Sequence, residues 1–248
     1  MTTAARVALV TGSSKGLGRA IGERLAADGL AVAVNGLHVD DVAPVVDAIR
    51  AAGGVAAAFP ADVTDEGQVS GLIDAVAAEL GPIDVLVVNA TGPQPDIAVE
   101  DATWDDHLDQ LTFFVKSPLL LGRAVLPGMA ARGGGRIVHV DSEVADRPPP
   151  LRSAYATAKA AQVGLALSWA RELAPHGITV NTVAPGFVPV ERHADVPAEA
   201  RDAYVATVPL GRFGTREEIA DAVAFFASPA AAYVTGQRLV LDGGRRLG

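Results

Sequence analysis

Short, continuous apolar runs alternate with longer stretches of helical periodicity along the whole chain. Val7–Val10, Ala31–Val34, Val55–Phe59, Val85–Val88, Arg136–Val140, Ile178–Val183 and Arg238–Leu241 are apolar runs of strand length, the pattern of strands buried on both faces. Between them, apolar residues recur one helical turn apart. Leu17, Ile21 and Leu25 mark the first helix, and Val69, Leu72, Ile73, Val76 and Leu80 the clearest one. Helices are also expected over Val42–Ala52, closed by Gly53-Gly54, over Ser153–Ala174 and over Thr215–Ala227. A long helical stretch covers Thr103 to Met129, with a bend expected near Pro118. Pro185 to Leu210 is irregular and proline-bearing, with room for one short helix. Seven strands joined by crossover helices imply an α/β fold: one doubly wound, seven-stranded parallel sheet with helices on both faces. In such a sheet, ligands gather beyond the C-terminal strand ends.

Composition narrows the functions open to this chain. Half of its 248 residues are hydrophobic and a fifth are charged, which is enough to bury a sizeable core. A net charge of −9 argues against a nucleic-acid face. The absence of cysteine excludes disulfides, thiolate chemistry and cysteine-held metals. The five histidines are scattered, and Glu191, His193 and Asp195 read as a solvated loop, so no metal is expected. No apolar run has the length of a membrane span, and the few residues before the first strand leave no room for a signal peptide. The expectation is a cytoplasmic protein.

The unusual residues fall at the strand ends. After the first strand the chain reads Thr11-Gly-Ser-Ser-Lys-Gly-Leu-Gly18, with Gly12, Gly16 and Gly18 before and inside the start of a helix. Helix N–H groups and missing side chains suit a pyrophosphate; the same stretch also reads as an ordinary strand–helix turn. Further strand ends carry Asp62-Val63, Asn89-Ala-Thr-Gly92, Asp141-Ser142 and Pro185-Gly186. Thirteen residues beyond Ser142 stands Tyr155-Ala-Thr-Ala-Lys159. Tyr155 and Lys159 share a helix face, so the ammonium favours ionisation of a phenol whose ordinary pKa is about 10. The tyrosine can then exchange a proton with a substrate oxygen, and Ser142 can hydrogen-bond that oxygen.

With these motifs in this order, the chain resembles the short-chain dehydrogenase/reductase family along nearly its whole length, and in particular its 3-oxoacyl-(acyl-carrier-protein) reductase-like members. The resemblance implies a Rossmann-type fold in one domain over residues 1–248, with a substrate lid at about 186–210. It implies an NAD(P)-dependent ketoreductase, with hydride passing between nicotinamide and a ketone or secondary alcohol. Ser142, Tyr155 and Lys159 are then the catalytic residues. Gly12, Ser14, Lys15, Gly16, Leu17, Gly18, Asn35, Asp62, Val63, Asn89, Ala90, Tyr155, Lys159, Pro185, Gly186 and Val188 are the expected cofactor contacts. NAD-dependent relatives place a carboxylate at the end of the second strand, where this chain has Gly36, whereas Lys15 stands where NADP-preferring relatives carry a basic residue. NADP is therefore expected, with NAD as the alternative.

The substrate class implied is a small carbonyl compound or a 3-oxoacyl thioester, with an acyl carrier protein as candidate partner and Arg132, Arg171 and His176 as its available basic residues. Glu191, Arg192 and His193 read as a solvated loop tip, with gripping of a polar substrate as the alternative. A homotetramer is expected from the resemblance and from Leu119–Leu121 and Leu165, Leu167 and Trp169, which exceed what the sheet needs. One position departs from the family. The asparagine usual in the long helix falls on Phe114 counting back from Met129, and on Leu111 counting forward from Trp104. A distorted turn near Phe114, with a main-chain carbonyl serving a water beside Lys159, would keep a proton relay open. The competing reading is a protein of the same fold that binds NAD(P) without efficient turnover.

Overall fold

A computed structural model describes residues 5–247; Met1–Ala4, Gly248 and the side chain of Arg192 lie outside the described residues. Seven strands, all paired in parallel, form one sheet in the order β3-β2-β1-β4-β5-β6-β7. They are β1 (Val7–Val10), β2 (Ala31–Gly36), β3 (Val55–Pro60), β4 (Ile83–Val88), β5 (Gly135–Val140), β6 (Ile178–Pro185) and β7 (Arg238–Leu241). The order reverses between β2-β1 and β4, so the strand ends there open onto a crevice.

Alternation along the strands feeds two cores. Ala8 and Val10 of β1 point to one face, where α1 (Gly16–Ala27) and α2 (Val39–Ala51) add Ile21, Leu25, Val42 and Ile49. α8 (Arg216–Ala227) closes that face with Ile219, Val223 and Phe226. Val7 and Leu9 point to the other face, beneath α3 (Glu66–Glu79) with Val69, Leu72 and Val76. The helix pair that completes this layer supplies Leu120, Leu121 and Met129 on one side and Trp169 and Leu173 on the other.

The long helical stretch is three pieces: α4 (Trp104–Leu111), a π-helical turn (Thr112–Lys116) and α5 (Ser117–Ala131). The irregularity lies just before Pro118, whose missing N–H and ring disfavour a regular turn back onto Phe114. α6 (Ser153–Leu173) lies beside α5 so closely that a Cβ on Gly122 would sit 2.7 Å from Trp169 Cζ3. Leu120, Leu121 and Trp169 are therefore core residues, and of the expected surplus only Leu119 and Leu167 stay exposed. The segment after β6 holds a short 3-10 turn (Glu191–His193) and α7 (Ala198–Val205).

Candidate active site

Side chains lock the glycine loop after β1 to its neighbours. The Thr11 hydroxyl donates to Val87 O (3.2 Å) and accepts from the N–H groups of Asn89 and Ala90 (3.0 and 3.1 Å). Asn89 Nδ2 donates to the carbonyls of Thr11 and Gly12 (2.9 and 3.0 Å). Two loop glycines are required by space. A Cβ on Gly12, whose φ is +62°, would lie 2.7 Å from Ala90 Cα, and one on Gly18 would lie 2.6 Å from Asn89 Nδ2 and strike Gly12 O. Helix α1 starts here with no side-chain cap and no acidic residue in its first turn. Its first N–H groups and the positive end of its dipole thus remain available to an anion.

A cleft of about 370 Å³ runs from this loop across the strand ends to Tyr155 and Lys159. Of the expected cofactor residues, Gly12, Ser14, Lys15, Gly16, Leu17, Gly18, Asn35, Asp62, Val63, Asn89, Ala90, Tyr155 and Lys159 line it. Asn35 is there as a strut: its Nδ2 donates to Phe59 O and Ala61 O (3.0 and 3.2 Å), and its Oδ1 accepts from Gly12 N. Asp62 Oδ1 accepts from the N–H and hydroxyl of Thr64 (2.8 and 2.7 Å), which fixes its carboxylate at the rim. Pro185, Gly186 and Val188 stand at and beyond the end of β6, outside this lining.

At the far end, Lys159 is almost fully buried. Its ammonium donates to Val140 O (2.9 Å) and Gln162 Oε1 (3.0 Å) and lies 4.0 Å from the centre of the Phe114 ring. The Tyr155 ring meets Phe114 edge-on, with centroids 5.4 Å apart. Phe114 occupies the middle of the π-helical turn, so the distortion expected there is present, and counting back from Met129 identifies the position that faces Tyr155. Ser142 opens the 3-10 turn Glu143–Ala145 and its Oγ accepts from Val144 N (3.2 Å). Arg238 of β7 clamps this turn, donating to Asp141 Oδ2 (2.7 Å), to Ser142 O (2.8 Å) and to Asp146. Burial raises the Asp141 carboxyl, while Lys159 and Arg238 pull it back down.

Beyond the turn, buried Glu143 ties down the segment that follows β6. Its Oε1 accepts from the Tyr204 hydroxyl (2.8 Å) and pairs with Arg245 (3.1 Å). The same hydroxyl accepts from Phe187 N (2.7 Å), and Phe187 packs among His193, Tyr204 and Phe213. Burial pushes the Tyr204 phenol well above its ordinary range, so it stays a donor to Glu143. Glu191 pairs with Arg216 (3.1 Å), and His193 Nδ1 stays close to Val188 O. The Arg192 side chain, expected beside them, lies outside the described residues.

Three comparisons place this geometry among known proteins. A family model described as enoyl-(acyl carrier protein) reductase matches residues 12–246. The chain is 37% identical over 241 residues to the 3-oxoacyl-[acyl-carrier-protein] reductase FabG of Escherichia coli K12, covering 96% of each chain. A short-chain type dehydrogenase/reductase from Mycobacterium marinum superposes with a TM-score of 0.92 at 35% identity, over 98% of this chain and 96% of that one. The chain belongs to the short-chain dehydrogenase/reductase family. A further family structure is a 3-oxoacyl (acyl-carrier-protein) reductase from Agrobacterium tumefaciens C58 with NADP bound. It matches with a TM-score of 0.90 at 38% identity, over 96% of this chain and 93% of that one.

The cleft fits the dinucleotide that this family uses. Gly12 and Gly18 let the loop pack tightly on Ala90 and Asn89, Gly16 puts no side chain at the head of α1, and α1 presents uncapped N–H groups there to a pyrophosphate. At the end of β2 stands Gly36 with no carboxylate, and a Cβ there would lie 2.8 Å from Val42 Cγ1, which would have to shift to admit one. Ser14 adjoins that place, and Lys15 is exposed beside it. Cleft-lining residues that the sequence did not single out as cofactor contacts include Leu37, Asp41, Phe113 and Val190. They come from three separate segments, and no spacing in the sequence brings them together.

Proposed function

We propose that the protein is an NADPH-dependent ketoreductase that converts a ketone to a secondary alcohol. One observation carries this reading: a cleft that begins at a pyrophosphate-ready glycine loop ends at a Tyr155–Lys159 pair on one face of α6. Gly12, Ser14, Gly16, Leu17, Gly18, Asn89 and Ala90 would hold the phosphates and adenosine, and Lys15 with Ser14 the 2′-phosphate. Bound NADPH supplies the hydride to the carbonyl carbon. Tyr155 gives its phenolic proton to the carbonyl oxygen, so that oxygen ends as a hydroxyl and the phenol as a phenolate. Lys159 stabilises that phenolate by its charge, and Ser142 donates a hydrogen bond to the oxygen as negative charge develops. Phe187 packs with Tyr204 and Phe213 in the segment of about 186–210, which acts as the lid over a single domain.

The curated relatives favour a 3-oxoacyl thioester carried on an acyl carrier protein. Arg132, Arg171 and His176 cannot be its docking residues at the cleft entrance. They precede β5 and β6, at the N-terminal edge of the sheet, and Arg132 is engaged with Ile83 O and Asp84. The working form in this reading is a cytoplasmic homotetramer, supported by Leu119 on α5 and Leu167 on α6, which remain exposed on one side of the sheet.

Cofactor choice is tested by measuring the dissociation constants of NADPH and NADH. The reading expects tighter NADPH, with Lys15→Ala narrowing the gap by about tenfold as one phosphate-facing cation is lost. Tighter NADH binding to the unaltered protein overturns it.

A further inference from the structure

Helix α6 buries an apolar stripe, and Gln162 interrupts it. One turn before it stands Ala158 and one turn after it Ala166, both in the core, while Gln162 itself is 1% exposed. Burying a primary amide costs free energy unless both its ends find partners. Both do. Oε1 accepts from the Lys159 ammonium (3.0 Å), and Nε2 stands 3.4 Å from His139 Nδ1 on β5. Lysine can only donate, so the amide must turn its oxygen toward Lys159 and its nitrogen toward the imidazole. In that orientation His139 Nδ1 is the ring's acceptor, and the ring proton is assigned to Nε2, which is buried without a hydrogen-bond partner among the described residues. Burial, with the charge of Lys159 beside it, holds the His139 pKa down to about 3, so the ring is neutral and able to accept.

From this geometry we infer that Gln162 is a positioning residue for the catalytic lysine: His139 orients its amide, and the amide oxygen holds the Lys159 ammonium in place beside Tyr155. The inference rests on the ketoreductase reading and adds to it a residue that no family motif contains. The Phe114 ring beneath the ammonium offers only its face, an attraction with little directional preference. Val140 O and Gln162 Oε1 are directional, and Gln162 is the side chain that a substitution can remove. The groups whose charge bears on Lys159 are Tyr155 on its own helix and His139 and Asp141 from β5, with Arg238 of β7 neutralising Asp141. Losing the amide oxygen leaves the ammonium less well held, weakens its pull on the phenol and so raises the pH at which Tyr155 ionises.

The experiment compares wild type with Gln162→Met, which keeps length and volume but neither accepts from an ammonium nor donates. Alcohol oxidation with NADP is followed across pH, and folding is checked by thermal melting. Wild type is assayed first: if it reduces no ketone and oxidises no alcohol, the reductase reading fails and this inference falls with it. Given an active wild type, Gln162→Met should lower kcat about tenfold and move the half-maximal pH upward by about one unit. A half-maximal pH that stays put overturns the inference even if kcat drops, because loosened packing alone would produce that. Should Gln162→Met not fold, His139→Leu decides: freeing the amide to rotate should shift the limb in the same direction, and an unmoved limb overturns the inference.

Discussion

Tyr155 is held between the cleft and the Phe114 ring, with Lys159 one turn further along α6. Tyr155→Phe should abolish turnover while leaving the NADPH dissociation constant within about threefold of wild type, because the phenol acts in the transition state and not in the binary complex. Lys159→Ala should harm both, and steady-state kinetics with fluorescence titration of NADPH checks the pair. Near-normal turnover in the tyrosine variant would remove it from the mechanism. His139 makes a separate prediction. Its pKa falls from 6.5 to about 3 on folding because burial penalises the charged ring. Between those values the unfolded chain binds a proton that the folded chain does not. The stability is therefore complete above pH 6.5 and lost as pH falls toward about 3, by about 1.4 kcal/mol per pH unit. Melting temperatures across that window should fall more shallowly for His139→Gln than for wild type. At this scale Tyr155 and Lys159 were legible from their spacing along α6, and Phe114 from its count back from Met129 in the long helical stretch. Gln162 and His139 were not, since their partnership joins a helix to a strand and a glutamine in a helix usually faces water.

The elements show where short-range pattern suffices and where it stops. Strand cores were readable from apolar runs, yet β2 extends to Gly36 and β6 to Pro185, because pairing with β3 and β7 carries the ladder past the last apolar residue. The distortion of the long helix, expected near Pro118 and near Phe114, lies in Thr112–Lys116, the turn to which Pro118 has no N–H to bond back. The glycine loop is the most tightly specified element. Gly18→Ala pushes a methyl group into Asn89 and Gly12 O, and should weaken NADPH binding by tenfold or more, on the order of 1.4 kcal/mol, as measured by titration. Beside α1 on the same sheet face, α8 begins with a Thr215–Glu218 capping box, and Arg212 bonds Glu218 as well. Thr215→Ala should cost about 1 kcal/mol in denaturant unfolding. The Arg212 hydrogen bond first, and then the Thr215 N–H, draw the Glu218 pKa from 4.5 to about 2. That contribution is present above pH 4.5 and disappears as pH falls through about 2.

For the whole molecule, sheet order decides function: the reversal between β1 and β4 opens the crevice, and residues from five strand ends meet along it. The alternation of strands and helices made a doubly wound parallel sheet legible, while its strand order came only from the pairing. The lid's attachment was not legible either, because Glu143, Tyr204 and Arg245 lie 61 and 41 residues apart and meet only in the fold. Assembly is the expectation that burial trims most, since most of the apolar surplus read from the sequence belongs to the core. Light scattering at micromolar concentration should still give a tetramer, and a stable monomer would refute that assignment. The catalytic reading itself meets its most direct test in turnover. A panel of ketones and 3-oxoacyl thioesters is incubated with the protein and either NADPH or NADH, and loss of reduced-nicotinamide absorbance is followed. Reduction of at least one carbonyl compound, faster with NADPH and abolished by Tyr155→Phe, is the predicted result. Tight NADPH binding with no substrate reduced anywhere in the panel would contradict it, and would leave a cofactor-binding protein in place of an enzyme.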